Sequence, residues 1–549
     1  MLSRRARLLA AASLAGLYPL SALATIGSGN VAVIEPPVAH PREAACVVPL
    51  YKNAQFGASN VNFNYNPPAN CPGPYATIVL SVDVSLDAGI QYDRTGTIWV
   101  AGVPLWFGTT AEPSPVLAPS WHFERDVTDY TSVLAAPQTG FVIIANYTNS
   151  QDTSIITSSA KLLFYPATAK FPAPRVPDMV IPFASPGGGT VGLNDPTQTL
   201  TITPTLPANI EAASLDVYLQ GQGGDEFWYT CVPNSLSTEL ESCGGGALRE
   251  GEITIDNTPA GFAPVSPWIF TGGIDPYLWT PIPGVQTLDF KPFRVELSPF
   301  AAQLSTAGQH SIGLSVYGDD NYFSVAGALF LYLDAGSTQV TGGVTQNTLQ
   351  AAPSVKTTNT ISATNTLIHG NVKTTENRSA TIAGDAVTSS GQINYTVQQS
   401  TNFSNIQHFK ISDSVYVQDI TQSTATVVQA TAAGPNGTTE TIVNHTWPLT
   451  VDITVKPAAH GNDAQATMID QQFTDTWINL LNGNTVYQNQ IIDQISTMDT
   501  LLFNGSGLVG NKGQASTATY FQLETGRPCY EHQLASQNGL LISDTTGCE

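Results

Sequence analysis

The sequence predicts an all-β protein built from consecutive blocks, and three observations predict it. Short apolar/polar alternations recur along the first 345 residues, bounded by Gly, Pro, Asn and Asp turns. Almost no stretch suits a long helix. After Gln346 the composition turns sharply to Thr, Ser, Asn, Gln and Val, with few aromatics. The chain has 549 residues, enough for three domains.

In chain order, the N-terminus reads Arg4-Arg5-Ala-Arg7, then an apolar run over residues 8–23 and a small-residue site, Ser21-Ala-Leu-Ala24. This pattern predicts a signal peptide over 1–24, too short to span a membrane. The arginine pair also fits twin-arginine export, with the general route favoured. A secreted or periplasmic location is expected. Residues 25–75 look loop-like. The first β block lies within 25–187; in it Ile78, Leu80, Val82, Val84 and Leu86 share one face of a strand. A Pro-rich link over 167–186, followed by Gly-Gly-Gly, closes it. The second block, 188–345, has strands at Leu215-Asp-Val217-Tyr-Leu219, Ile312-Gly-Leu314-Ser-Val316 and 328–333. Each of these blocks has about the length of an eight-stranded jelly roll. The third block, 346–549, is expected to be an accessory β-sandwich, with 468–502 readable as short helix or strand.

The formal charge is −22; without Arg4, Arg5 and Arg7 the chain carries 17 basic and 42 acidic residues, a net −25. Such a surface repels nucleic acid and anionic membranes. Six cysteines remain after export: Cys46, Cys71, Cys231, Cys243, Cys529 and Cys548. An even count in an exported chain predicts disulfides. Local pairing 46–71, 231–243 and 529–548 is preferred among the possible connectivities. No cysteine is flanked like a catalytic thiol, and neither metal spacing nor a GxSxG elbow is present, so no cofactor or metal is expected.

The run Gly221-Gln-Gly-Gly-Asp225-Glu226-Phe227-Trp228-Tyr229 carries the most information. It places two carboxylates on a glycine turn at the end of a strand, beside rings able to stack on a sugar. An acid after such a turn is ordinarily just solvated, and support comes from elsewhere. The other words are Gln91-Tyr92-Asp93-Arg94-Thr95-Gly96, Gly102-Val-Pro-Leu-Trp106-Phe-Gly-Thr-Thr-Ala-Glu112, Trp121-His-Phe-Glu124-Arg125-Asp126, Trp268-Ile-Phe-Thr-Gly-Gly-Ile-Asp275-Pro-Tyr-Leu-Trp279, Phe293-Arg294-Val-Glu296 and His310-Ser-Ile-Gly-Leu. In this order, over roughly 75–340, they resemble the peptide-N-glycosidase A family, secreted amidases that remove N-linked glycans from asparagine.

The resemblance implies two jelly rolls side by side with the active site in the groove between them. It implies N-glycosylated peptides or proteins as substrates, with a monomer expected. It makes Asp93 and Glu226 the catalytic carboxylates. Asp93 lies in a Tyr-Asp-Arg similar to the aspartate site of the bacterial F-type glycosidase, and Glu226 matches that enzyme's second-domain glutamate. Arg94, Asp225, Trp228, Glu112 and Asn146 are the expected substrate contacts; Tyr229 is a further stacking candidate, and for both rings a core position is equally open. The F-type enzyme has a further glutamate on the strand matching 141–148. Here Asn146 stands there, so that acid's work is lost or moves to Glu112 or Glu124. One charge fewer would lower the pKa of the neighbouring carboxylates, and an acidic working range is expected. Glu124, Arg125, Asp126 and Asp129 look like a structural charge cluster, and Trp106, Trp121, Trp268 and Trp279 like core. A glycan-binding protein without catalysis, or a glycoside hydrolase using the same two acids, are the competing readings.

Overall fold

The computed structural model describes residues 24–458 and 462–548. Of the expected signal peptide only Ala24 falls among them. Strands dominate, and among the described residues no helical element exceeds four residues. None is long and apolar enough to cross a membrane.

The first block is a sandwich of two four-stranded antiparallel sheets. One runs in the spatial order Cys46–Gln55, Ile156–Pro166, Tyr75–Leu86, Ser120–Asp126; the other runs Val61–Tyr65, Gln138–Ile144, Thr95–Val100, Val103–Thr109. Its core joins Ile78, Leu80, Val82 and Val84 to Ile98, Leu105, Trp106 and Ile144, the alternating inward faces expected of packed sheets.

The second block has a five-stranded and a four-stranded sheet. At the centre of the larger, Ile210–Gly221 pairs with both Phe293–Glu296 and Phe323–Leu333. This strand is buried almost throughout, because one face meets its own core and the other meets the first block. There the Phe107 and Tyr218 rings lie 5.3 Å apart, and Arg125 bridges Asp289 at 2.7 Å. Strand Met179–Phe183 also pairs with Phe323–Leu333, so the second block starts inside the Pro-rich link rather than at 188.

The third region departs from the expected separate sandwich. Residues from Thr341 onward form one twelve-stranded antiparallel sheet, with seven consecutive strands of 18 to 22 residues. The ambiguous 468–502 stretch supplies two of them, Asn462–Leu481 and Asn484–Asn504. Alternate residues are buried, as along Val372, Thr374, Glu376, Arg378, Ala380 and Ile382. The second block itself covers this face: Phe403, Trp447, Leu449, Phe473 and Ile495 join the core of Phe262, Trp268, Trp279 and Phe290. A second layer within the sheet is therefore unnecessary.

All six cysteines pair locally, as 46–71, 231–243 and 529–548. None is free.

Candidate active site

Between the two sandwiches, Asp93 and Glu112 meet over one glycine, and Glu226 stands close enough to feel both charges. Asp93 follows the buried Gln91 in the loop leading into Thr95–Val100, and Glu112 follows the end of Val103–Thr109. These two strands pair with Thr95 opposite Thr109, which brings the two loops together. Asp93 N–H donates to Glu112 Oε1 at 3.2 Å. Gly272, from the strandless stretch between Thr258–Pro264 and Phe293–Glu296, approaches from the second block and donates its N–H to the Asp93 carboxylate. A methyl group on Gly272 would stand 2.7 Å from Asp93 Oδ1 and closer still to Glu112 Oε1. Only glycine fits this approach.

Glu226 enters from the turn after Ile210–Gly221. Gly223–Asp225 forms a single 3₁₀ turn and Glu226 continues it with helical backbone angles. The strand end is fixed to the first block through Thr95, whose Oγ1 accepts from Gln220 Nε2 at 3.0 Å and Gln222 Nε2 at 2.8 Å. The Gly272 loop is fixed by Thr271 Oγ1, which donates to Thr110 O at 2.6 Å.

Partial burial raises all three acids. Asp93 is pushed up to about 6 by desolvation, against the Gly272 N–H and the Arg94 charge. Glu226 rises to about 7 through desolvation and then the Asp93 charge. Glu112 rises to about 8 through desolvation and then Asp93, with Glu226 adding to it. The site thus separates three carboxyl groups into one that ionises readily and two that hold their protons, an arrangement able to run base and acid chemistry together. Among the described residues no cluster is spaced to hold a metal ion.

A model of the family described as Peptide N-acetyl-beta-D-glucosaminyl asparaginase amidase A matches residues 37–350, more than half of the chain. The chain belongs to this family. The match contains Asp93, Glu112, Glu226 and Gly272, and ends where the long sheet is beginning. Similarity to a curated amidase A extends further: Peptide-N4-(N-acetyl-beta-glucosaminyl)asparagine amidase A of Prunus dulcis is 26% identical over 528 residues, covering 90% of this chain and 87% of the relative. Among solved structures, PNGase F from Flavobacterium meningosepticum, titled a glycosylasparaginase, aligns at 12% identity over 53% of this chain and 96% of its own, with a TM-score of 0.35. PNGF-II aligns at 13% identity over 53% and 66%, with a TM-score of 0.36.

Not every residue singled out in this amidase A sequence reaches the crevice. Asp225 is wholly buried; Arg249 donates to its Oδ1 from Nε at 2.9 Å and Nη2 at 2.7 Å. Its Oδ2 accepts the backbone N–H groups of Asp320, Asn321 and Tyr322. No lone pair is left for a sugar, and Asp225 is the anchor of the turn rather than a substrate contact. Trp228 and Tyr229 are core residues, packed edge to face at 5.7 Å. Asn146 is also a correction, being 1% exposed. Its Oδ1 accepts from Gln91 Nε2 at 2.5 Å and its amide donates to Ser154 O. Gln91 Oε1 in turn accepts from Arg94 Nε and Nη2 at 3.1 and 2.5 Å. Asn146 therefore braces the side chain that aims Arg94, which lies over the exposed Tyr92 ring at 5.6 Å.

Of the two places to which the missing acid's work was expected to move, the structure brings Glu112 to the cluster. Glu124 lies elsewhere, accepting from Val38 N–H at 3.0 Å. The neighbouring charges are structural as expected: Arg125 pairs with Asp289, and Asp129 with Arg294. Gly272 went unnoticed in sequence, although its Gly-Gly pair stands inside one of the family words.

Proposed function

We propose that this chain hydrolyses the amide between asparagine and the first N-acetylglucosamine of N-glycosylated peptides or proteins. The observation that carries the reading is the meeting of Asp93 and Glu112 at Gly272, with Glu226 electrostatically coupled to both, in a chain of the amidase A family. Amides leave as basic amines, so the reaction needs an activated water, a stabilised oxyanion and a proton for nitrogen. Ionised Asp93 takes a proton from water as the oxygen attacks the side-chain carbonyl carbon of asparagine. Protonated Glu226 faces the first sugar, and its proton passes to the nitrogen as the carbon–nitrogen bond breaks. Neutral Glu112 holds the adjacent oxygen and keeps a second negative charge away from Asp93. The products are an aspartate side chain and a glycan carrying the amine.

The ordering of the three acids also moves the expected working range. Unperturbed carboxylates titrate near ~4, which favoured an acidic optimum in the sequence. Burial moves the range proposed here upward. Activity should rise as Asp93 ionises through about 6 and fall as Glu226 and Glu112 lose their protons through about 7 and about 8. Work outside the cytosol belongs to the same reading; its support is three disulfides with no free cysteine.

Mass spectrometry of a defined glycopeptide tests the reaction. Intact glycan release with conversion of asparagine to aspartate is expected. A peptide that keeps one N-acetylglucosamine on asparagine would transfer the site to the glycoside hydrolases, and an unchanged peptide that binds would make it a lectin.

A further inference from the structure

The two loops that deliver Gly272 and Glu226 have few strand partners of their own, and the long C-terminal sheet supplies the missing ones. Residues 265–292 contain no strand, only the turn Pro276–Trp279. Gln471, 1% exposed on strand Asn462–Leu481, spans the stem of this loop with a single side chain. Its Nε2 donates to Pro267 O at 2.7 Å and its Oε1 accepts Val285 N–H at 3.3 Å. Farther along, Leu278 O accepts from Thr497 Oγ1 at 2.9 Å and Ser516 Oγ at 3.2 Å.

The Glu226 loop is held in the same way. The carbonyls of Tyr229, Thr230 and Cys231 are taken in succession by Asn405 Nδ2, Gln418 Nε2 and Gln407 Nε2, at 2.8, 2.8 and 2.9 Å. These amides also hold one another: Gln407 donates to Asn405, and Gln418 to Gln407. Asn405, Gln407 and Gln418 form a buried amide chain, and such a chain favours one arrangement of its parts.

We propose that the C-terminal sheet is a positioning element of the reaction, with Gln471 setting the Gly272 loop and Gln418, through its amide network, setting the Glu226 loop. The inference rests on the assignment of Asp93 and Glu226 made above. The sheet decides where the Gly272 N–H and the Glu226 carboxyl stand relative to Asp93, and displacements of about 1 Å at such groups cost up to about a hundredfold in rate.

The test uses the full chain and three variants, with glycopeptide kinetics followed across pH and thermal unfolding measured beside them. Gln471→Met keeps the volume and removes both hydrogen bonds. It should lower kcat about ten- to a hundredfold, with little change in KM. It should also move the ascending limb to higher pH, because a displaced Gly272 N–H no longer favours ionised Asp93. Gln418→Met should lower kcat and raise KM, since Glu226 faces the sugar. Tyr395→Phe is the control: its hydroxyl joins sheet to second block at Glu211 O, 2.7 Å, at the strand end remote from the site. It should lower Tm while leaving kcat and the pH profile alone. If Gln471→Met yields no folded protein, Gln418→Met decides. Glutamine variants that melt early yet keep the parent kcat and pH profile would reduce the sheet to a cover and overturn the proposal. An active Asp93→Asn would instead sink the assignment beneath it; an inactive Asp93→Asn beside unaffected glutamine variants sinks the positioning role alone.

Discussion

The second sandwich and the C-terminal sheet are both antiparallel β structures, but they handle polar groups in opposite ways. In the sandwich, the polar groups of the crevice gather at strand ends and loops: Gln220 stands at the end of one strand, Gln222 and Glu226 follow it, and Thr271 and Gly272 sit on a strandless stretch. In the sheet, polar side chains are interleaved with apolar ones along the covered face itself. Gln399, Thr401, Asn405, Gln407, Gln418, Gln471, Thr497 and Ser516 are all buried there. Buried backbone carbonyls must be paired, and an irregular loop cannot pair its own. A long flat strand presents a side chain every second residue, so amides placed at that spacing can meet a row of carbonyls. The contrast teaches that a Gln- and Thr-rich strand need not be solvated. It can be the complement of someone else's loop.

This division of labour can be broken or sharpened, starting where the effect is largest. Asp93→Asn should cost about a hundred- to ten-thousandfold in turnover while leaving Tm at or above the parent value, since a partly desolvated charge disappears. A variant near parental turnover removes the crevice from the chemistry. Gly272→Ala comes next: its methyl group would meet Asp93 Oδ1 at 2.7 Å and Glu112 Oε1 as well, and a loss of about a hundredfold in kcat is expected. Unchanged kinetics would mean the loop stands farther off than described.

The remaining two changes should show themselves first in stability. Asp225→Asn breaks a pair with Arg249 in which both side chains are wholly buried. A cost of about 3–5 kcal/mol in urea unfolding is expected, with the limbs of the pH–rate profile in place. Should those limbs shift instead, the anchor and the reacting acids are not separable. The smallest effect belongs to the contact of Asp275 with Asp499 of the sheet. Asp275 is pushed up to about 7, by burial first and then by Asp499. A carboxyl raised by folding binds its proton more tightly in the native state. Its contribution is full at low pH and is lost as pH climbs from the ordinary carboxylate range through about 7. Asp499→Asn should flatten that part of the Tm-against-pH curve, and an unaltered slope would contradict the coupling.

The strands were legible because alternation is a local property: Ile78 to Leu86, Leu215 to Leu219 and Ile312 to Val316 lie in strands as read. Asp93 and Glu226 were legible through the words around them, and the structure puts both in the crevice. On the observed 3₁₀ turn Asp225 points inward to Arg249, leaving Glu226 half-buried at the crevice. What sequence did not yield was tertiary. The partner of Asp225 lies 24 residues away. Gly272 reaches Asp93 only because two separate sandwiches meet. Trp228, Tyr229 and Asn146 are shielded by elements contributed from other parts of the chain. The destiny of the Gln-rich third block depended on loops more than 100 residues earlier, and composition alone pointed to a separate module.

One contact made at the periphery bears on how such a molecule is assembled. Gly27 N–H donates to Leu541 O, Leu541 N–H returns to Ser28 O, and Ile34 O meets His532 Nδ1 across 498 residues. The first described segment is thus stitched to the last strands. A growing chain can fold its sandwiches as they emerge, but their outer loops stay uncovered until the strands of the sheet that reach them arrive. Contacts of such long sequence separation form late and slowly, and the interval exposes apolar surface and unpaired strand edges. A chain that already carries Asp93, Glu112 and Glu226 therefore still has buried loop carbonyls waiting for partners that come later in the sequence.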